Sequence, residues 1–439
     1  PCAACAVRGH RSHPNTLMTK KKKTATPGPA AAESKRVDDT TPVYELAPLE
    51  AARRFLDHRS VAYDESAKRY QLYDNASGKW HSLTDHALQR TMKQWMQQHC
   101  SHDLKATTLK KMTAEVSLNA PLWVPTRHPG VLVVGNGVLD FRQRGVVLKP
   151  HERHLQHEHQ LDVAYSPEAT CPLFLEFLHG SVSDDDALLI QKWVGGVLAG
   201  SNESQTVLAL IGNPGTGKGT LVELITRLVG VGLTAEMRPD KFCERFELSA
   251  YLGRRLLIAP EIPSDLLTLK GVGRLKALVG QDRMEAELKC QNRRVPLQGD
   301  FHVLLHGNRL VPQEWSPDLD AFRRRMLIVE YNGSRPPKII PNLAETLWAA
   351  EAAGILAWAV EGVRRYHADL KQHGHIRLTA QQQRRVDRLI PPPAKTATLA
   401  TMGAAEDSTT SRLMNWLAEQ LQRVGLRLER IQPVSAMLK

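Results

Sequence analysis

The chain has 439 residues, enough for roughly two or three domains with cores of their own. Its 58 lysines and arginines outweigh 46 acids, a formal net charge of +12 that suits a polyanionic partner. No apolar run reaches the ~18 residues that span a bilayer, there is no secretory apolar segment, and six scattered cysteines do not make a disulfide framework. A cytoplasmic location with no membrane partner is the expectation.

Residues 1–40 read as a disordered basic tail, rich in Ala, Pro, Thr and Lys, with the run Lys20-Lys21-Lys22-Lys23. The sequence opens on Pro1 rather than Met, which fits processing, truncation or a natural start at Met18. Cys2, Cys5, His10 and His13 have ligand chemistry for zinc, but their C-x2-C-x4-H-x2-H spacing is tighter than that of a usual finger. They are read as a fortuitous cluster.

Residues 41–150 read as an N-terminal α+β domain. A helix is expected over Leu49 to Leu56, short strands at Val61 to Tyr63, at Tyr70 to Tyr73 and leading to Trp80, and a second helix from Thr84 to His99. Leu88, Met92, Trp95 and Met96 share one face of that helix and read as core. Val131 to Phe141 reads as a hairpin turning at Asn136-Gly137. A histidine-rich loop follows (His151, His154, His157, His159), read as solvated rather than metal-binding, then a strand-like Leu161 to Tyr165. Residues 151–200 form a helical lead-in whose acidic cluster, Asp184 to Asp186, sits at a helix start, where capping accounts for it.

The chemistry begins at Gly212-Asn213-Pro214-Gly215-Thr216-Gly217-Lys218-Gly219-Thr220, between the apolar run Val207 to Ile211 and a helical pattern with Leu221, Leu224, Ile225, Leu228 and Val229 on one face. Strand, glycine loop, helix is the context of a phosphate cradle. Glycines let backbone N–H groups turn inward, the helix start adds partial positive charge, and Lys218 adds a full one. The position after the lysine, ordinarily Ser or Thr for Mg²⁺, is Gly219, and the hydroxyl comes one residue later at Thr220.

Two more apolar strands are expected. Leu256 to Ala259 leads into Pro260-Glu261, which puts a carboxylate where a Mg²⁺ ion and a lytic water would sit. Phe301 to Gly307 ends in Asn308, an amide able to sense a terminal phosphate. Arg323-Arg324-Arg325 then precedes Met326 to Val329 and reads either as a solvated edge or as a finger toward a neighbouring subunit.

Gly212 to Thr220, Glu261, Asn308 and Arg324, in this order, resemble motifs A, B, C and the arginine finger of superfamily-3 helicases, and more narrowly the poxvirus-type and phage/plasmid-satellite primase-helicase family. Asn136-Gly137-Val138-Leu139-Asp140, Leu275 to Asp282 and Glu351 to Trp358 match its pattern too. The resemblance covers roughly residues 45 to 385. It implies an α/β fold with a P-loop (AAA+-like) ATPase core at 201–335. Past it, the apolar stripe from Leu343 to Tyr366 reads as C-terminal helices at 336–390, and composition and periodicity make 391–439 a linker and terminal helix. The resemblance also implies that the basic segment with Lys289, Arg293 and Arg294 is a hairpin gripping single-stranded DNA.

The expectation is an ATP- and Mg²⁺-dependent replicative DNA helicase of a phage, prophage or mobile element, acting as a homo-oligomeric ring, a hexamer. Lys218, Glu261, Asn308 and Arg324 would be catalytic, Thr220 and Glu261 would hold the metal, and a primase or initiation protein is a possible partner, since no primase site is legible. A nucleotide kinase, or a DNA-binding module with an inactive nucleotide site, are the alternatives.

Overall fold

The computed structural model describes residues 47–392, apart from 66, 100–104, 125–128, 143–144, 158–159, 239–240, 242–243, 263–268, 290–292, 311–316 and 334–339. The tail with Cys2, Cys5, His10 and His13 lies outside the described residues, as does nearly all of the expected linker and terminal helix at 391–439.

Helix α1 (Pro48–His58) starts with proline at its first position and buries Ala51, Ala52 and Phe55. It packs with α2 (Asp85–His99) and α3 (Ala106–Asn119) beside an antiparallel sheet of β1 (Val61–Asp64), β2 (Arg69–Asp74) and β3 (Lys79–Leu83). Leu88, Met92, Trp95 and Met96 are all buried there, and Trp95 meets Phe55 edge-on at 5.4 Å. These side chains are core, as their helical spacing indicates.

A second antiparallel sheet holds β4 (Val131–Val134), β5 (Gly137–Asp140) and β6 (Val147–Lys149). Val134 pairs with Gly137, so the turn is Gly135-Asn136 and not Asn136-Gly137. The expected strand at Leu161 to Tyr165 is not a strand. It lies against the hairpin through Leu161 N–H to Val133 O and Gly135 N–H to Val163 O. The Asn136 amide then takes the place of a ladder partner, exchanging two bonds with the Tyr165 backbone (2.8 and 2.9 Å). Among the histidines, His151 bonds Val134 O at 2.9 Å and His154 pairs with Glu152.

The larger body is mixed α/β. Its five-stranded sheet is all parallel and combines β7 (Val207–Gly212), β8 (Thr234–Glu236), β9 (Leu256–Ala259), β12 (His302–Gly307) and β13 (Met326–Tyr331), in the order β13-β7-β12-β9-β8. The middle strands β7, β12 and β9 are mostly apolar because both faces are covered, with His302 and His306 of β12 the exceptions. Leu208, Leu210, Leu304, Leu327 and Val329 face α4 (Pro172–Ser181), α5 (Asp184–Ala199), α6 (Lys218–Val229) and α9 (Leu343–His373). Their neighbours Val207, Ala209, Val303, Leu305 and Ile328 face α7 (Leu269–Val279), α8 (Pro317–Arg323) and α10 (Ala380–Leu389). Between α7 and β12, strands β10 (Arg283–Glu287) and β11 (Arg294–Gln298) form a separate hairpin.

Helix α9 is long and apolar enough to cross a membrane by length and composition, yet 44% of its most apolar window is buried in the protein. Its seam with α5 is tight: a Cβ on Gly195 would lie 2.1 Å from the Gly362 backbone. The helix bends at Glu351 (φ −135°), and the freed carboxylate accepts from the N–H groups of Leu173 and Phe174 (2.9 and 2.8 Å). It thereby caps α4, whose own N-cap residue, Cys171, supplies no side-chain bond.

Candidate active site

Three adjacent strands end at one place. After β7 the chain enters the loop 213–217, after β9 it reaches Pro260-Glu261, and after β12 it reaches Asn308. In an open parallel sheet that edge is where ligands bind, because loops there diverge and helix N-termini point inward. Strand β12 lies between β7 and β9 and sets the lateral order: loop, Asn308, Glu261.

The loop turns sharply into α6. Gly217 is the N-cap residue at φ +97°, and a Cβ there would meet the Phe177 ring at 2.7 Å. At the strand end, a Cβ on Gly212 would lie 2.4 Å from Tyr331 O. No side chain caps α6, so its first N–H groups face the loop. Thr216 Oγ1 donates to Asn213 O at 2.8 Å. Lys218, only 7% exposed, donates from Nζ to Gly212 O and Asn213 O, both at 2.7 Å. Burial holds this ammonium below the usual lysine range.

Gly219 differs from the glycines around it. A Cβ there would meet nothing within 4 Å. The missing hydroxyl is therefore a choice of this sequence, with no steric cause. Thr220, one position on, is half-buried, while Glu261 and Asn308 are exposed at the strand ends.

His306 belongs to this group and was not singled out from the sequence. It is half-buried at the end of β12, and its pKa is lowered by burial first and by Lys218 second, with Glu261 opposing. Its imidazole is thus neutral near pH 7. The signal was a histidine inside an otherwise apolar strand. His302, which shares that trait, sits at the other end beside Trp193 (5.9 Å).

Arg324 is not part of this cluster. Met326 pairs with Val207 and Tyr331 with Gly212, so Arg324 precedes the amino end of β13, about 20 Å along the strands from the loop. The three arginines there differ sharply. Arg323 pairs with Asp320 (3.3 Å) and with Asp387 of α10 (2.8 Å). Arg325 is half-buried, donating to Ala321 O and Gln205 Oε1 (2.8 and 2.9 Å). Arg324 is exposed and lines a cleft of about 620 Å³ with residues 203–206 and 374–380.

The basic segment is a hairpin, as expected. Lys289 and Arg293 are exposed between its two strands. Arg294 is already engaged: its guanidinium reaches Glu285 at 3.2 Å and Glu287 at 3.3 Å across the ladder. The hairpin leaves the body at the amino end of β12, the same end of the sheet as Arg324.

The remaining matched stretches brace the fold. Asp140 is 4% exposed and accepts from Arg142 (3.0 and 2.7 Å) and Lys149 (2.7 Å). Asp186, beside the N-cap Ser183, takes both oxygens to Arg385 Nη1 at 3.0 Å, so more than capping occupies that acidic cluster. Among the described residues no group of three or more His, Cys, Asp or Glu is placed to hold a metal ion.

Residues 49–180 match the family model described as D5 N terminal like. Residues 210–325, the span from the glycine loop to the arginines, match a family of unknown function, DUF5906. No curated protein is significantly similar to this chain. Among solved structures, the A form apo structure of the NrS-1 C terminal region is 13% identical, over 87% of this chain and 84% of that one, with a TM-score of 0.48. Another apo structure of that region is 11% identical, over 87% and 83%, with a TM-score of 0.49.

Proposed function

We propose that this chain is the helicase part of a replication primase-helicase of phage or viral type, an ATP-hydrolysing subunit that works in a homo-oligomeric ring on single-stranded DNA. The observation that carries the reading is the convergence of Lys218, Glu261, His306 and Asn308 at the carboxyl ends of three adjacent parallel strands, against the uncapped start of α6. The D5-like match over residues 49–180 supports the replication context.

The residues present suit a triphosphate. Uncapped helix N–H groups and a buried lysine favour an anion, and Lys218 now makes with Gly212 O and Asn213 O the bonds it would give to phosphate oxygens. ATP is the substrate, with Mg²⁺ supplying charge neutralisation across its phosphates when bound. Thr220 and Glu261 are the residues to hold that ion, and the open space at Gly219 leaves room for water in place of a hydroxyl. Glu261 orients and deprotonates the attacking water, and Asn308 bonds the terminal phosphate region. His306, half-buried at the end of β12, is close enough to Lys218 and Glu261 to feel both charges.

Arg324 lies too far from its own chain's loop to take part there. It serves a neighbour's nucleotide, which makes the active site a property of two subunits. The basic hairpin with Lys289 and Arg293 at its tip grips phosphates of the strand, with Arg294 bracing the hairpin through Glu285 and Glu287.

ATP hydrolysis measured with and without single-stranded DNA tests this, for wild type, Lys218→Ala and Arg324→Ala. DNA-stimulated turnover is expected, lost in both variants. Mixing the two inactive proteins restores part of it, because some interfaces then pair an intact loop with an intact arginine. No rescue at any ratio refutes the shared site.

A further inference from the structure

Arg324 is exposed, but the residue after it is wired into the molecule. Arg325 reaches Gln205 Oε1 at 2.9 Å, and the Gln205 amide nitrogen in turn donates to Gly280 O at 3.4 Å. Gly280 opens the turn after α7, and the next residues close the base of the hairpin: Gln281 N–H bonds Gly299 O at 2.7 Å, and Gly299 N–H bonds Asp282 O at 2.9 Å. One glutamine side chain therefore bridges the arginine segment and the root of the basic hairpin.

The bridge stands on a rigid post. Gln205 holds φ +53°, in a turn fixed by the fully buried Asn202, which bonds Thr206 N (3.1 Å), Thr206 O (3.1 Å) and Phe301 O (2.8 Å). The main chain on either side is shared as well, since Val207 N–H bonds Arg325 O at 2.8 Å. The Arg325 head is the soft member. Its Nε is buried without a hydrogen-bond partner, burial and then Arg324 disfavour its charge, and Asp282 favours it. An anion arriving at Arg324 offsets that repulsion and changes how firmly Arg325 holds its partners. Asp282 immediately precedes β10, so the same change is felt at the hairpin root.

We propose that Gln205 is the positioning residue that couples the subunit interface to the DNA-gripping hairpin, through its two hydrogen bonds to Arg325 and Gly280. The proposal rests on the ring reading above. It adds the physical connection by which a nucleotide met by Arg324 shifts the hairpin of the same chain. Its side-chain partners, Arg325 and Gly280, lie in neither the loop 213–217 nor the strands of the hairpin.

The test compares wild type, Gln205→Glu and Gln205→Ala for basal ATP hydrolysis and for its stimulation by single-stranded oligonucleotide. Glu at 205 keeps the acceptor for Arg325 and removes the donor to Gly280. Stimulation in both variants is expected to fall by about fivefold or more, the lower range of typical coupling between sites, with the basal rate and thermal unfolding midpoint near wild type. Undiminished stimulation in Gln205→Glu overturns the proposal, and so does a proportional fall of basal and stimulated rates. If wild type itself shows no DNA-stimulated hydrolysis, it is the ring reading that fails.

Discussion

Lys218 Nζ lies 2.7 Å from the carbonyl oxygen of Gly212, folded back onto the loop it is meant to serve. On the function proposed above, a bound triphosphate would exchange these two carbonyl partners for phosphate oxygens, at a lysine that burial has already partly desolvated.

Replacing Lys218 with Ala removes that charge together with the two hydrogen bonds to Gly212 O and Asn213 O. Turnover is expected to drop on the order of 10²–10³-fold, the usual cost of losing one preorganised donor. Losing those two hydrogen bonds should lower stability by only about 1–3 kcal/mol, so calorimetry beside the ATPase assay separates lost turnover from unfolding.

Gly219 is the position where the loop departs from the common pattern, and nothing within 4 Å would obstruct a side chain there. Gly219→Ser is expected to fold normally and gain about 0.5 kcal/mol from better helix propensity in the first turn of α6. If Mg²⁺ binds here as proposed, the added hydroxyl would be a further ligand, and half-maximal hydrolysis should need less Mg²⁺ than in wild type. A Mg²⁺ titration at fixed ATP checks this.

Asp140 gives the fold an acid-sensitive joint. Hydrogen bonding from Arg142 foremost, and from Lys149, holds its carboxyl well below the usual carboxylate range, while burial opposes them. A depressed folded-state pKa means stability that is fully present above the unfolded value and lost as pH falls through the folded one. The loss should thus begin as pH drops toward about 4, the ordinary carboxylate value, and deepen below it. Asp140→Asn should be destabilised at pH 7 and show a shallower acid slope in denaturant melts between pH 5 and 3.

Asp186 and Arg385 form an almost fully buried pair, with Arg385 also donating to Ile328 O at 2.8 Å and pairing with Glu330. Removing one partner strands the other. Arg385→Ala is expected to cost about 3–5 kcal/mol in urea unfolding. The double change Asp186→Leu with Arg385→Met should cost much less, because neither charge is then left uncompensated.

Local patterns already contained most of the elements. The helical stripe of Leu88, Met92, Trp95 and Met96, the apolar runs that became β7, β9, β12 and β13, and the hairpin around residue 290 all follow from short-range periodicity, which depends only on neighbouring residues. The glycine loop was equally legible, since a turn between a buried strand and a helix start is a local geometric demand. Short or irregular pieces were not. β8 is only three residues long, and Leu161 to Tyr165 looked like a strand because its alternation is real, although a side-chain amide replaced the ladder.

What the tertiary structure alone decided is who meets whom. Insertion of β12 between β7 and β9 brings Asn308 and His306 beside Lys218 and Glu261, and the parallel register sends Arg324 to the opposite end of the sheet. Among three consecutive arginines the sequence offers no distinction. Asp387 of α10 holds Arg323, Gln205 holds Arg325, and Arg324 is left exposed. Those choices depend on residues more than 60 positions away in the chain. Strand order and long-range pairing set them, and no local propensity encodes either.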